Sequence, residues 1–560
     1  MAPSVAGAAD GGRVVPGSWR SLGVPGIAAM VLTVLAIALH LIHWQKGGAL
    51  WRDEAGPVRV ATLESWGETF QRFPHEAFPL LFAGIVRGFV AVAGDADLAL
   101  RALGAAIGCA LLGALWLNAR LARVSAPVVS LALLAFHPVL VVFGDSLRGY
   151  GLGATFIVLA GAAYQRYLER PGPRSLAVCC LAATASVQVV LHDAALVFGL
   201  ATAAALTAAL DRRLRIAAGA LGSGLVAALS LVPYAGPLRG ARAWSVVIEA
   251  RELGAREILG AAVSTLAAPS PAMPVAWLVA TALAAAVAWP LGRASVAAAA
   301  GPRRDAVRFR LLGLGLCGAA QYGFFLAVRY VPSPWYFLPL MALWAASLDV
   351  LLDVPRRSRV AALAIAVGAV LLAVAQLPPT LGLARAKMTN VDELARRLAE
   401  RAGPGDLVVV NPWYLGVSFH RYYSGTAPWT TLPRLGDTRF HRNDQLKERM
   451  AAAAPIDDVL AAVDATFAAG HRVWLVGNFD PPPRRQQPSR FAPAPDGGVG
   501  WANGPYCVSW SQQLAAHLLA RSGQGRVVLA PAGAINPFEA LSLRVFRGRA
   551  APRRAPDNRR

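Results

Sequence analysis

Residues 51–55 read WRDEA and set Arg52, Asp53 and Glu54 directly after a long apolar run. A carboxylate at the edge of a low-dielectric region finds a partner or shifts its pKa, and it can take a proton from a hydroxyl or amine. The bland alternative is a solvated loop. A second polar island, FGDSLRGYG at 143–151, brings Asp145 and Arg148 to a short break between two further runs. Carboxylates converging from separate loops are what acid/base work or a divalent cation requires. Gly149, Gly151 and Gly153 would allow close approach there. A third island, VRYVPSPWYFLP at 328–339, closes one run with Arg329 and Tyr330 and breaks the helix at Pro332 and Pro334. Arginine suits two-pronged contact with phosphate, and structural pairing or snorkelling at a span end is the equal alternative. Trp335 and Tyr336 lie where interfacial aromatic belts lie. His75 with Glu76, and His192 with Asp193, are secondary pairs that could line a cleft. These residues assign no metal. There is no CxxC, HExxH or Walker loop, which disfavours a soluble nucleotide enzyme.

The elements that must position these islands are membrane helices. Of 560 residues, 56% are hydrophobic and 15% charged, with a mean hydropathy of +0.47. Soluble domains carry about 25% charged residues. The net charge of +22 lies mainly in short loops between apolar runs and in the tails, a pattern of membrane topology and not of a nucleic-acid face. Runs able to span fall at 22–43, 98–118, 126–143, 150–168, 175–191, 193–210, 215–235, 273–292, 311–330, 335–353 and 359–379. The run 77–93 is short and carries Arg87 at its middle. A mid-span arginine costs about 2.5–3.5 kcal/mol on insertion scales, so 77–93 reads as a re-entrant or interfacial helix. With it off the spanning set, every loop assigned to the cytoplasm, from Arg120 to Arg359, bears arginine. The expectation is a polytopic transmembrane helical bundle of about eleven spans in the cytoplasmic membrane, N-terminus cytoplasmic, followed by an extracytoplasmic α/β domain.

Residues 1–20 read as a loose cytoplasmic segment, 21–380 as the membrane domain with outer juxtamembrane helices at 57–93, 381–547 as the α/β domain, and 548–560 as a disordered basic tail. In the α/β part, VDELARRLAERA (391–402) and 509–521 have helical character. DLVVVNP (406–412), HRVWLVGN (471–478), GRVVLAP (525–531) and LSLRVFRG (541–548) read as strands, and 236–256 as an outer connection. Four of the five cysteines lie in apolar runs and imply no disulfide framework.

In order and placement, WRDEA (51–55), FPLLFAGIVRGF (78–89), DLALRALGAAIG (97–108), HPVLVVFGDSLRGYGL (137–152) and RYVPSPWYFLPL (329–340) resemble the loop motifs of the GT-C superfamily of polyprenyl-phosphate-sugar-dependent glycosyltransferases. Members include protein O-mannosyltransferases and lipid A aminoarabinose transferases. Two motifs depart: HEAFP stands in place of HPP, and Asp145 and Arg148 are spaced one residue wider. The resemblance implies inverting transfer of a sugar from a polyprenyl-phosphate donor to a lipid, glycan or protein acceptor on the outer face. It implies catalytic roles for Asp53, Glu54 and Asp145, and donor-phosphate contacts from Arg148, Arg329 and Tyr330. A divalent metal is possible. Two other classes meet the same composition: a transporter or lipid flippase, and a membrane-anchored binding module. The flippase reading would favour inverted repeats and midplane charges, and the sequence shows no repeat.

Overall fold

The computed structural model describes residues 23–249, 254–293, 302–330, 332–353, 358–483, 486–522 and 525–549. The N-terminal segment 1–20, nearly all of the basic tail and Arg356 lie outside the described residues.

Uninterrupted apolar stretches satisfy their backbone polar groups internally, so they are helical. The first helix, α1 (Val24–Lys46), starts on Pro25, a residue pre-set for the first helical turn. Three helices follow, α2 (Arg52–Ala61), α3 (Trp66–Glu76) and α4 (Leu80–Ala93), and then the long α5 (Asp97–Leu121). The next apolar run is broken. α6 (Val128–Ser130) passes into π-helical turns at Leu131–Ala135 and Val139–Gly144, on either side of His137 and Pro138. Then come α7 (Tyr150–Glu169), α8 (Pro173–Val187), α9 (Asp193–Leu210), α10 (Leu214–Leu229), α11 (Ala235–Glu249), α12 (Ala255–Leu266), α13 (Met273–Arg293), α14 (Pro302–Val328), α15 (Leu338–Leu351) and α16 (Arg359–Ala384).

This is an integral membrane protein. Among the described residues seven helices are long and apolar enough to cross a bilayer: α1, α5, α9, the continuous stretch Leu214–Ile248, α14, Pro334–Leu351 and α16. Eleven were expected. The other four expected spans are helical, but the first is broken by its π-turns, α7 carries Gln165, Arg166 and Glu169, and α8 has only fifteen residues; α13 covers the fourth over Met273–Arg293. The stretch 236–256, expected as a connection, is helical through α11, which lays Trp244 against His75, ring centroids 5.6 Å apart.

The segment around 77–93 folds back. α3 and α4 meet at 119°, with Ala77 in the left-handed region at φ 58° capping α3. Arg87 explains the corner. Its Nε donates to the Ala61 carbonyl at 2.8 Å, and its Nη2 donates to the Leu63 carbonyl and Thr69 Oγ1. Its guanidinium also lies 4.0 Å from the centre of the Trp66 ring. The charge that opposes insertion clamps α4 onto α2 and α3.

One more charge is buried within the bundle. Arg310 of α14 donates to Gln165 Oε1 on α7 and to Asn118 Oδ1 on α5, at 2.7–3.0 Å, and no carboxylate among the described residues pairs with it.

After α16 the chain forms a five-stranded sheet near the C-terminus. It begins with α17 (Val391–Arg401) and β1 (Leu407–Asn411), then α18 (Gly416–Tyr422) and β2 (Trp429–Thr431). α19 (Asn443–Ala451), α20 (Asp457–Ala468) and β3 (Arg472–Gly477) follow, then α21 (Asn503–Ser522), β4 (Arg526–Leu529) and β5 (Leu543–Arg547). The strand order is β2-β1-β3-β5-β4, with β1 parallel to β2 and β3, and β5 antiparallel to β3 and β4. Strands β1 and β3 are almost wholly buried, as helices on both faces of a parallel pair require. Three residues of β2 had too short a pattern to be read as a strand.

This domain sits on the end of the bundle that carries α2 to α4. Tyr422 Oη accepts from Leu50 N and donates to Asp97, Arg421 pairs with Asp97 at 3.1 Å, and Glu539 accepts from Arg52 N at 2.9 Å.

Candidate active site

Beneath that domain, the start of α2, the loop 144–149, the α3–α4 corner and the α14–α15 connection meet. Trp51 anchors the first of these. It is fully buried, with the rings of Phe143, Trp335 and Phe538 about its own at centroid distances of 6.0–6.4 Å. That fixes Asp53 in the first turn of α2, where the helix dipole favours negative charge.

Asp53 faces Arg148. Its Oδ2 lies 3.0 Å from Arg148 Nη1, and its Oδ1 lies 3.3 Å from Arg52 Nε and 3.9 Å from His441 Nε2. Burial would raise this carboxyl, but Arg148, Arg52 and His441 together hold it below the ordinary carboxylate range. Arg148 is only 11% exposed at its side chain and lies among aromatic faces, with Trp335 at 4.8 Å and Tyr150 at 5.1 Å. Its contact with Asp53 is one of charge, not of hydrogen-bond alignment, since Arg148 Nε and Nη1 are buried without an acceptor. Trp51 Nε1 and Trp335 Nε1 are in the same condition. Buried donors without acceptors cost free energy, and here several gather around one guanidinium.

A cavity of about 250 Å³ opens beside Arg148. Its lining mixes the polar or charged Glu76, Arg148, Tyr150, His192, Tyr330 and Tyr336 with the apolar Phe78, Val190, Leu191, Phe324, Phe325 and Val328. The Tyr336 hydroxyl donates to that of Tyr330 at 3.1 Å. Burial brings the His192 imidazole down to about 4, so it is neutral near pH 7.

The expected site residues separate into those at this cavity and those away from it. Asp53 stands against its cation, and Arg148, Tyr330, Glu76 and His192 line the cavity. Glu54 is committed elsewhere: its Oε1 accepts from Arg101 Nη1 at 2.6 Å and from Leu147 N at 3.1 Å, tying α2 to α5 and to the loop 144–149. Asp145 turns into the bundle, where His40 Nδ1 lies 2.8–2.9 Å from both its oxygens. Neither it nor Asp53 is in the cavity's lining, and Asp145 is shut off from Arg148's side by α5, which Gly104 and Gly108 let pack directly on it. Asp193 is buried and accepts from Ser186 Oγ at 2.7 Å. His75 stacks between Trp244 and Phe440, and burial, foremost, lowers its pKa. Arg329 ends α14 in the left-handed region, φ 51°, with its side chain exposed. Its neighbours Val328 and Tyr330 line the cavity and it does not. Among the described residues no three His, Cys, Asp or Glu side chains converge as a metal set.

Three partners were not read from the sequence. His40 lies in an apolar run and Arg101 in what reads as the start of a span. His441 comes from the C-terminal domain: its Nδ1 and its backbone N both lie within 3.0 Å of Glu76 Oε1. Burial pulls the His441 imidazole down, but Glu76, and more weakly Asp53, raise it above the ordinary histidine value. Nothing in RFHRND (439–444) distinguishes it from a solvated loop.

No family model and no curated protein matches the chain. Several solved structures do. ArnT from Cupriavidus metallidurans bound to undecaprenyl phosphate is 12% identical with a TM-score of 0.48, over 80% of this chain and 92% of that one. The Archaeoglobus fulgidus oligosaccharyltransferase tethered with an acceptor peptide is 10% identical with a TM-score of 0.45, over 92% and 74%. Arabinofuranosyltransferase AftD from Mycobacteria is 17% identical with a TM-score of 0.38, over 93% and 40%. All three are GT-C glycosyltransferases.

Proposed function

We propose that the protein is a membrane glycosyltransferase that moves a sugar from a polyprenyl-phosphate-linked donor to a lipid, glycan or protein acceptor, at the membrane face that carries the C-terminal domain. The observation that carries this reading is the pairing of a carboxylate, Asp53, with a buried and donor-rich cation, Arg148, at a cavity whose lining also includes Phe324, Phe325 and Val328. A lipid phosphate combines the same two characters: an anionic head that takes charge-assisted hydrogen bonds and an apolar tail. A site for it belongs at the edge of the bilayer, and the arginine-bearing loops at the opposite end support the outer face of the cytoplasmic membrane for it.

Arg148 holds the donor phosphate, with Tyr330 and Tyr150 as hydroxyl partners. Arg329, on the rim, serves the phosphate only by a change of conformation. Phosphate at Arg148 draws the guanidinium's charge away from Asp53, and the carboxylate becomes more basic once the donor is in place. Asp53 then removes the proton from the acceptor's hydroxyl or amine. The acceptor atom bonds to the anomeric carbon, the bond from that carbon to the phosphate oxygen breaks, and the polyprenyl phosphate leaves with the electron pair. Arg148 stabilises the charge that develops on it. Direct displacement from the side opposite the phosphate gives inversion. Glu54 and Asp145, with His40 and Arg101, position the loops that hold this pair.

The test is incubation of the purified protein with radiolabelled polyprenyl-phosphate sugars in native membrane extract, with identification of the labelled product. Transfer by the wild type and not by Asp53→Asn supports the reading. Absence of transfer from every polyprenyl-phosphate sugar, with net lipid or solute flux in reconstituted vesicles, replaces it with a transporter.

A further inference from the structure

At the other end of the bundle, α5, α7 and α8 enclose a groove of about 1110 Å³. α7 begins with Tyr150 at the cavity described above, and its groove-lining residues run from Phe156 to Arg166, with Arg170 just beyond its end. At about 1.5 Å per residue Arg170 lies roughly 30 Å along the helix from Tyr150, so the basic end of the groove is a bilayer core away from the cavity. The walls are apolar: Leu117, Leu121, Phe156, Leu159, Val178 and Leu181. Leu181 is 71% exposed and Val178 54%, so the groove opens to lipid. Arg166, Arg170 and Arg174 stand at its end.

Among the described residues these three arginines have no acidic partner. The one carboxylate close to them in sequence, Glu169, is engaged with Arg123 at 3.6 Å and Gln165 at 3.1 Å. Elsewhere at this end of the bundle several basic residues do have acids: Arg213 with Asp305, Arg303 with Asp353, and Arg304 and Arg308 with Asp211. The groove therefore combines an apolar trough with an unneutralised triple cation at its head. It is more than four times the volume of the cavity at Arg148.

We propose that this groove is a site for a two-chain anionic phospholipid of the membrane leaflet opposite the C-terminal domain. Its phosphate rests on Arg166, Arg170 and Arg174, and its acyl chains lie along α5 and α8. Charge complementarity selects the head group, and the size of the trough selects two chains over one. The bound lipid holds α8, one of the short helices, against α5 and α7.

Native mass spectrometry of the full chain, extracted in mild detergent with equimolar phosphatidylglycerol and phosphatidylcholine, tests this. The wild type is expected to retain phosphatidylglycerol preferentially, and Arg166→Gln/Arg170→Gln/Arg174→Gln to lose that preference about tenfold. Val178→Trp fills the trough with the arginines intact and should displace the same adduct, so the proposal stays testable should the triple variant not fold. Arg212→Gln/Arg215→Gln, on the neighbouring basic loop, should leave the preference as it was. A wild type without preference overturns the site, as does a triple variant that keeps it, or a Val178→Trp protein that still carries the adduct. Loss of preference in the Arg212/Arg215 variant reduces it to general surface charge. Displacement of the phosphatidylglycerol by equimolar polyprenyl phosphate overturns the two-chain occupant.

Discussion

Replacing Arg148 by alanine separates a phosphate site from a structural ion pair. A charge-assisted hydrogen bond to phosphate contributes about 1.5–3 kcal/mol net. At 1.36 kcal/mol per decade, its loss should lower kcat/KM for the donor by roughly ten- to one-hundred-and-fifty-fold. Breaking a buried ion pair usually destabilises by about 3–5 kcal/mol, which would confound the measurement. Here the confounding term is smaller. Asp53 is 17% exposed and keeps Arg52 at 3.3 Å and His441 at 3.9 Å, so it is not left as an isolated buried charge. Arg148→Lys should recover only part of the loss, because a point charge cannot make the two-pronged contact and packs less well among the aromatic faces of Trp335 and Tyr150. Arg329→Ala is the internal control and should change the donor dependence less than threefold. The assay is single-turnover transfer from a radiolabelled polyprenyl-phosphate sugar at varied donor concentration, with thermal unfolding measured on the same preparations. An unchanged donor dependence in Arg148→Ala refutes the assignment, and a large loss in Arg329→Ala with Arg148→Ala unaffected transfers it to the rim.

Asp53→Asn should retain donor binding and lower turnover by roughly two to four orders of magnitude, read as a fall in kcat with the donor Kd within a few-fold. Glu54→Ala should act on the fold instead, because it strips a buried acceptor from Arg101 and Leu147. A loss of about 3–5 kcal/mol, seen as a lowered unfolding temperature or poor yield, is expected. The His441 imidazole is raised above its ordinary 6.5, so its contact with Glu76 stabilises docking of the C-terminal domain fully below that value and loses its strength as pH rises through the raised one. Limited proteolysis of the domain across that window should show docking weaken with rising pH in the wild type and stay flat in His441→Gln. Arg87→Met should loosen the α3–α4 corner, detected as faster hydrogen exchange in α4, since three hydrogen bonds to α2 and α3 go with the guanidinium.

The sequence showed most clearly what depends on a single residue against a simple background. Arg87 in a short apolar run set 77–93 apart from the other runs, and the structure shows the same side chain building the corner between α3 and α4. Asp53 and Arg148 stood out because each interrupts a run of lipid-soluble residues. What stayed hidden was pairing. His40 and Asp145 are 105 residues apart, and His441 and Glu76 are 365 apart. No local periodicity records which polar residues meet across a fold. So Glu54 and Asp145 looked as chemically available as Asp53 until their partners were located. Arg329 looked suited to the cavity from its place at a span end, but the backbone turns left-handed there and leaves the side chain outside the lining.

The buried Arg310 bears on how the molecule is made. Arg310 is the ninth residue of α14, at the edge of its apolar part, and α14 alone would leave that guanidinium without acceptors there, at an insertion cost below the about 2.5–3.5 kcal/mol of a mid-span arginine. Its acceptors, Asn118 and Gln165, belong to α5 and α7, which leave the ribosome well before it. The chain therefore reaches α14 with a receptor for its charge already in the bilayer. Synthesis order and packing order coincide at this residue, and the arginine acts as a checkpoint. Truncated chains without α5 or α7 should stall with α14 uninserted and be cleared by membrane quality-control proteolysis, whatever the state of the site some distance away.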